Sequence, residues 1–87
     1  MACLVLWVED AGMEGLLEQF GENVRQARHD RGWTQEDLSG VTGLAVVQVS
    51  RIERGKREIR LTTLVRLLNG LDTPPETLLR GVLRGVS

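Results

Sequence analysis

Eighty-seven residues with 41 % hydrophobic content and a formal net charge of −1 suffice for one modest core, and chains this small are often marginal alone and gain stability by oligomerising. The single cysteine, Cys3, excludes an internal disulfide and suits a cytoplasmic setting. The single histidine, His29, stands beside Asp30 with no second ligand pattern, and the ten glycines fit no phosphate-cradling or nucleophile motif, so no metal, cofactor, small-molecule ligand or enzymatic activity is expected.

In chain order, the first feature is the apolar run Ala2-Cys3-Leu4-Val5-Leu6-Trp7-Val8. It is far shorter than the roughly 20 residues that span a bilayer, and it lacks the basic start and small-residue cleavage site of a signal peptide. Neither membrane insertion nor export is expected. Residues 1–12 are therefore read as an extension, with two readings open. One is a β-strand that pairs with its copy in a dimer, as exposed apolar edges tend to do; the other is a disordered or mistranslated leader ahead of Met13. Residues 13–87 then form a single domain.

Helical periodicity predicts five helices, over residues 14–31, 34–40, 45–54, 61–71 and 75 to about 84. The first has Leu16, Leu17, Phe20, Val24 and Ala27 on one face and is closed by Gly32. The second starts at Thr34, whose hydroxyl can cap the amide near Asp37 while Glu36 and Asp37 favour the positive helix end. It stops at Gly43, where a tight turn needs a positive φ. In the third, projection at about 100° per residue puts Ala45, Val49 and Ile52 on a core arc, opposite Val46, Val47, Ser50, Arg51 and Arg54. Adjacent β-branched residues on an outward face suit a contact surface better than a solvated helix. Gly55 ends this helix, and Lys56 and Arg57 follow. The fourth carries Leu61, Leu64, Val65, Leu67 and Leu68 and ends at Asn69-Gly70 or shortly after. The fifth opens at Pro75-Glu76, a favourable first turn, and its Leu78, Leu79, Val82, Leu83 and Val86 make a wide apolar stripe. The fold class is all-α.

Charge is unevenly placed. Residues 1–22 carry five acids and no base, whereas residues 23–87 carry seven acids and eleven bases, a balance of +4. Between Ala45 and Arg60 five bases face two acids, a positive stripe where two helices, a glycine turn and a basic loop suggest a helix-turn-helix presenting its second helix to DNA.

The residues Gln35, Leu38, Gly43, Val49, Ser50, Ile52 and Glu53, with the run Arg54-Gly55-Lys56-Arg57, resemble the Cro/lambda-repressor, or Xre, helix-turn-helix family. The likeness begins at Phe20-Gly21-Glu22-Asn23-Val24-Arg25-Gln26-Ala27-Arg28, continues through Arg31-Gly32-Trp33-Thr34-Gln35 and reaches Leu71, covering roughly residues 16–80. It implies a five-helix lambda-repressor-like domain.

Chemistry suggests thymine-methyl contact for Val46 and Val47, a bidentate guanine contact for Arg51 and a donor or acceptor role for Ser50. The resemblance places these four on base-facing positions. Thr34, Gln35, Gln48, Arg54, Lys56 and Arg57 are the expected phosphate contacts, Gln35 matching a family glutamine that also braces the recognition helix. Arg28 and Glu53 match a structural salt bridge. Leu78, Leu79, Val82 and Leu83 are expected to serve both the core and a dimer interface. Two residues depart from the family pattern: Ala45, where a capping serine or threonine is usual, and Ser39, where alanine is preferred.

Together these imply a sequence-specific regulator that binds double-stranded DNA as a homodimer, without a separate effector-sensing domain. The run Arg57-Glu58-Ile59-Arg60-Leu61 and the brief last helix look most like restriction–modification controller proteins. A small phage-type repressor, or an antitoxin-like interaction module that represses its own operon, is the alternative.

Overall fold

Each helix begins and ends where its local chemistry requires. The computed structural model describes the backbone of residues 2–56 and 58–82, and side chains from residue 15 onward within those ranges. Five helices follow in order: α1 (Ala2–Asp30), α2 (Gln35–Thr42), α3 (Val46–Glu53), α4 (Leu61–Leu71) and α5 (Pro75–Leu78). Among the described residues there is no strand, in keeping with the all-α expectation.

Two boundaries differ substantially from expectation. Helix α1 runs upstream to Ala2 instead of starting at Glu14, so residues 2–12 have helical backbone and the strand reading of that segment is corrected. The cause is physical: an unbroken apolar run has no period that separates strand from helix. Helix α5 is one turn long, ending at Leu78 with Leu79 as its cap, and residues 83–87 lie outside the described residues.

The middle of the chain follows its caps. Thr34 Oγ1 accepts from the Asp37 N–H at 3.1 Å, and Asp37 Oδ2 accepts from the Thr34 N–H at 2.9 Å, a complete capping box that starts α2. The helix runs two residues past the expected end because the buried Thr42 can stay in it, its hydroxyl donating to the Leu38 carbonyl at 2.7 Å. Gly43, at φ 77°, then turns the chain, a conformation that a β-carbon disfavours.

The core collects one face from every helix. Phe20, Val24 and Ala27 of α1 meet Leu38 of α2, Leu44 of the turn, Val49 and Ile52 of α3, Leu67 and Leu71 of α4 and Leu78 of α5, all buried. Fully burying such a side chain is worth about 1.5–3 kcal/mol, which makes this the main source of stability. Trp33, Ile59, Leu64, Leu68, Leu79 and Val82 pack around it, partly buried. Asn23 ties the last helix to the first, its Nδ2 donating to the carbonyls of Leu78 at 2.7 Å and Arg80 at 2.8 Å.

Helix α1 crosses the end of α3 so closely that only glycine fits. A Cβ on Gly21 would stand 2.6 Å from the Glu53 carbonyl oxygen and would also meet that of Ile52. Helix propensity alone favours alanine over glycine by about 1 kcal/mol. Here the clash is with backbone, which yields only if α3 moves. Gly21→Ala is therefore expected to destabilise the fold by about 1–3 kcal/mol, measured by denaturant unfolding; a stabilised variant would contradict the close crossing.

Candidate nucleic-acid interface

The interface is organised by a charge pair beneath it. Arg28 on α1 donates from Nε to Glu53 Oε2 at 2.7 Å and from Nη2 to Glu53 Oε1 at 3.0 Å, and its Nη1 donates to the Trp33 carbonyl at 2.8 Å. Both side chains are buried, Arg28 at 8 % exposure and Glu53 at 7 %. The hydrogen bonds to Glu53 hold the guanidinium above the usual arginine range; burial opposes this and the carboxylate charge adds to it. Gln35, at the first turn of α2, donates from Nε2 to Glu53 Oε1 at 3.1 Å. One carboxylate at the end of α3 thus anchors that helix to both α1 and α2.

With Val49, Ile52 and Glu53 sealed inside, α3 presents its other side to solvent. Val46 is 39 % and Val47 56 % exposed, Arg51 and Arg54 are exposed and Ser50 is half-buried. The four residues expected to read bases therefore share the outward side of α3. Arg54 turns back along the helix, its Nε donating to the Ser50 carbonyl at 3.4 Å. The helix ends in a left-handed Gly55 at φ 66°, and the Lys56 N–H donates to the Arg51 carbonyl at 3.1 Å, leaving Lys56 exposed just beyond.

The start of α3 is built without the usual hydroxyl. Ala45 is an extended and exposed N-cap that offers no side-chain acceptor, so its place on the core arc is corrected. The reciprocal half of a cap is made instead: Gln48 Oε1 accepts from the Ala45 N–H at 3.0 Å. The turn before it is tied by side chains, with the Ser39 hydroxyl donating to the Leu44 carbonyl and Thr42 Oγ1 accepting from the Leu44 N–H at 3.3 Å. Ser39 thus makes a bond across the turn that an alanine could not.

The remaining expected residues are placed as follows. Thr34 is exposed and caps α2. Gln35 and Gln48 are engaged with Glu53 and Ala45 through one amide atom each. Arg57 and Leu83 lie outside the described residues. Leu78 is fully buried within the monomer, while Leu79 and Val82 are partly buried against its core, so Leu78 has no surface left for a second subunit. Of the double role expected for this stripe, Leu78 takes the core half, because the last helix folds back onto α1, where Asn23 holds it.

One feature was missed. Beside α3 lies an open groove of about 450 Å3 whose walls include Arg51 together with Arg60 and Arg66. The basic count between Ala45 and Arg60 pointed toward it, but Arg66 falls beyond that window, and only the packing of α4 brings it alongside.

An outward, mostly apolar and cationic face on the second helix of a braced helix–turn–helix pair defines a helix-turn-helix protein. Comparison with known proteins agrees: the helix-turn-helix family model matches residues 24–78, and the chain belongs to that Xre-type family. A solved structure of the restriction-modification controller protein C.AhdI from Aeromonas hydrophila is 35 % identical, with a TM-score of 0.69 over 71 % of this chain and 94 % of that one. The controller protein C.Esp1396I, solved as a tetramer in complex with its natural 35 base-pair operator, is 26 % identical, with a TM-score of 0.70 over 79 % of this chain and 91 % of that one. An uncharacterised helix-turn-helix transcriptional regulator of Mycobacterium tuberculosis is 37 % identical over 69 % of this chain, which spans only 23 % of that longer protein.

Removing the anchor should be severe. Glu53→Ala leaves the Arg28 charge buried without a counter-charge, and the expected loss is about 3–5 kcal/mol of unfolding free energy. Gln35→Ala, which removes one neutral donor, is expected to cost only about 1 kcal/mol. Denaturant titrations of the two variants check the ranking; equal losses would contradict the anchoring role of Glu53.

Proposed function

We propose that the chain is a sequence-specific DNA-binding transcriptional regulator of the restriction–modification controller type, acting as a homodimer on a two-fold-related operator with half-sites about one helical turn apart. The observation that carries this reading is the outward face of α3: Val46 and Val47 stay exposed although apolar, beside the cation Arg51, while the opposite side of the helix is sealed and braced. The likeness to C.AhdI, which extends over nearly that whole chain, and to C.Esp1396I, solved in complex with its operator, supports it. The role is regulatory, not enzymatic, and its place is the cytoplasm. Residues 13–87 carry it.

On this reading Val46 and Val47 touch thymine methyl groups, Arg51 donates two bonds to a guanine edge and Ser50 donates or accepts at a neighbouring base. Thr34, Gln35, Gln48, Arg54, Lys56 and Arg57 meet phosphates. Gln48 does so with Nε2, which the cap leaves over, and Gln35 with the second N–H of the Nε2 whose first is given to Glu53. For the second subunit, the partly covered Leu79 and Val82 are joined by the apolar surface left open on α4, where Leu61 is 75 % and Val65 46 % exposed.

A gel shift with the DNA upstream of its own gene tests the function, and a complete lack of salt-sensitive specific binding would sink it. In the same assay Arg51→Ala is expected to relax preference at one base pair, with a loss of about 1–3 kcal/mol of discrimination. Lys56→Ala should weaken all sequences alike. An equal loss on every sequence for Arg51→Ala would remove its base-reading role. Light scattering on the chain lacking residues 1–12 is expected to report an unchanged dimer, since those residues lie outside the proposed functional unit; a monomer would assign the contact to the extension.

A further inference from the structure

The groove beside α3 gathers more positive charge than base reading requires. Its walls carry Arg51 from α3, Arg60 from the loop before α4 and Arg66 from α4, with Glu58 as the only carboxylate among the described residues and with the hydroxyls of Thr62 and Thr63. Among the described residues the ion pairs are Glu22 with Arg25 and Arg28 with Glu53, so none of the three groove arginines is paired with a described carboxylate. They come from three different parts of the fold. The Arg66 guanidinium lies beside the α2–α3 turn, its Nη1 3.7 Å from where a Cβ on Gly43 would stand. Arg51 projects from α3, and Arg60 is the N-cap residue at the foot of α4. Like charges lining one low-dielectric concavity repel in the free protein and focus a field that draws in a polyanion.

Resting on the DNA-binding reading above, we infer that this groove seats the sugar–phosphate backbone of the same duplex whose bases α3 reads, with Arg60 and Arg66 as phosphate-contacting residues. Three cations on the walls of one groove suit a strand bearing a phosphate at every nucleotide. The groove adjoins Gln48 and Arg51 on α3, so a backbone lying in it continues from the groove edge that α3 enters. Arg60 and Arg66 thereby extend the phosphate contacts from the basic loop onto α4.

The test is fluorescence anisotropy of the full chain with two labelled duplexes, one from upstream of its own gene and one of random sequence, each over a salt series. Arg60→Gln and Arg66→Gln are each expected to weaken both duplexes by a similar factor and to flatten the slope of log affinity against log salt by about 1.8, the loss of one phosphate contact from each subunit of the dimer. Arg66→Lys should restore the slope of the parent chain. Arg25→Gln removes the same charge from the exposed side of α1 and should leave the slope unchanged. Circular dichroism confirms that all variants fold. If the parent chain binds with salt sensitivity but Arg60→Gln and Arg66→Gln keep its slope, the groove assignment falls and the DNA reading stands. If the parent chain shows no salt-sensitive binding to either duplex, both fall.

Discussion

The helix-turn-helix unit depends on a carboxylate that never reaches the surface. Glu53 terminates α3, and it receives two hydrogen bonds from Arg28 of α1 and one from Gln35 of α2. Replacing buried ion pairs by apolar residues of like volume is often neutral or stabilising in proteins, so the pair is a poor device for stability as such. What it does supply is direction. Two parallel bonds between a planar guanidinium and a planar carboxylate set orientation as well as separation, and a third bond, from Gln35, ties α2 to the same carboxylate. Gly21, without a β-carbon, lets α1 approach the end of α3, where Arg28 makes its bonds to Glu53.

The same arrangement settles which residues are free for a ligand. Once Val49, Ile52 and Glu53 are committed inward, the helical period leaves Val46, Val47, Ser50 and Arg51 on the outer side, where Val46, Val47 and Arg51 are exposed and Ser50 is half-buried. Solvated valines gain nothing from water, whereas thymine methyl groups in a major groove offer them apolar partners. The missing cap at Ala45 is offset by its neighbours. Gln48 satisfies the Ala45 amide, and Ser39 and Thr42 bind the two backbone groups of Leu44, so the entry to α3 is held by the turn instead of by the first residue.

Legibility varied with the length and regularity of the signal. Thr34 with Asp37, and Gly43 with Gly55, are short-range devices whose effect reaches only a few residues, so their positions were readable along the chain. The Arg28–Glu53 pair came from the resemblance, because no local rule joins residues so far apart in sequence. The segment 2–12 was misread because seven consecutive apolar residues carry no period. Leu78 was half misread: its place on an apolar stripe was evident, but whether the stripe faced the core or a partner depended on Asn23 reaching the carbonyls of Leu78 and Arg80.

Read alone, the chain was enough to establish an all-α domain, the helix-turn-helix with its glycine turn, and the outward set on α3, since caps, turns and helical period act over one or two turns of helix. The tertiary structure decided the rest: that Glu53 anchors two helices at once, that Leu78 belongs to the core, and that Arg66 of α4 stands in one groove with Arg51 and Arg60. Each of these depends on how separate helices pack, which is set by the combined shape of ten buried side chains and not by any neighbouring run of sequence.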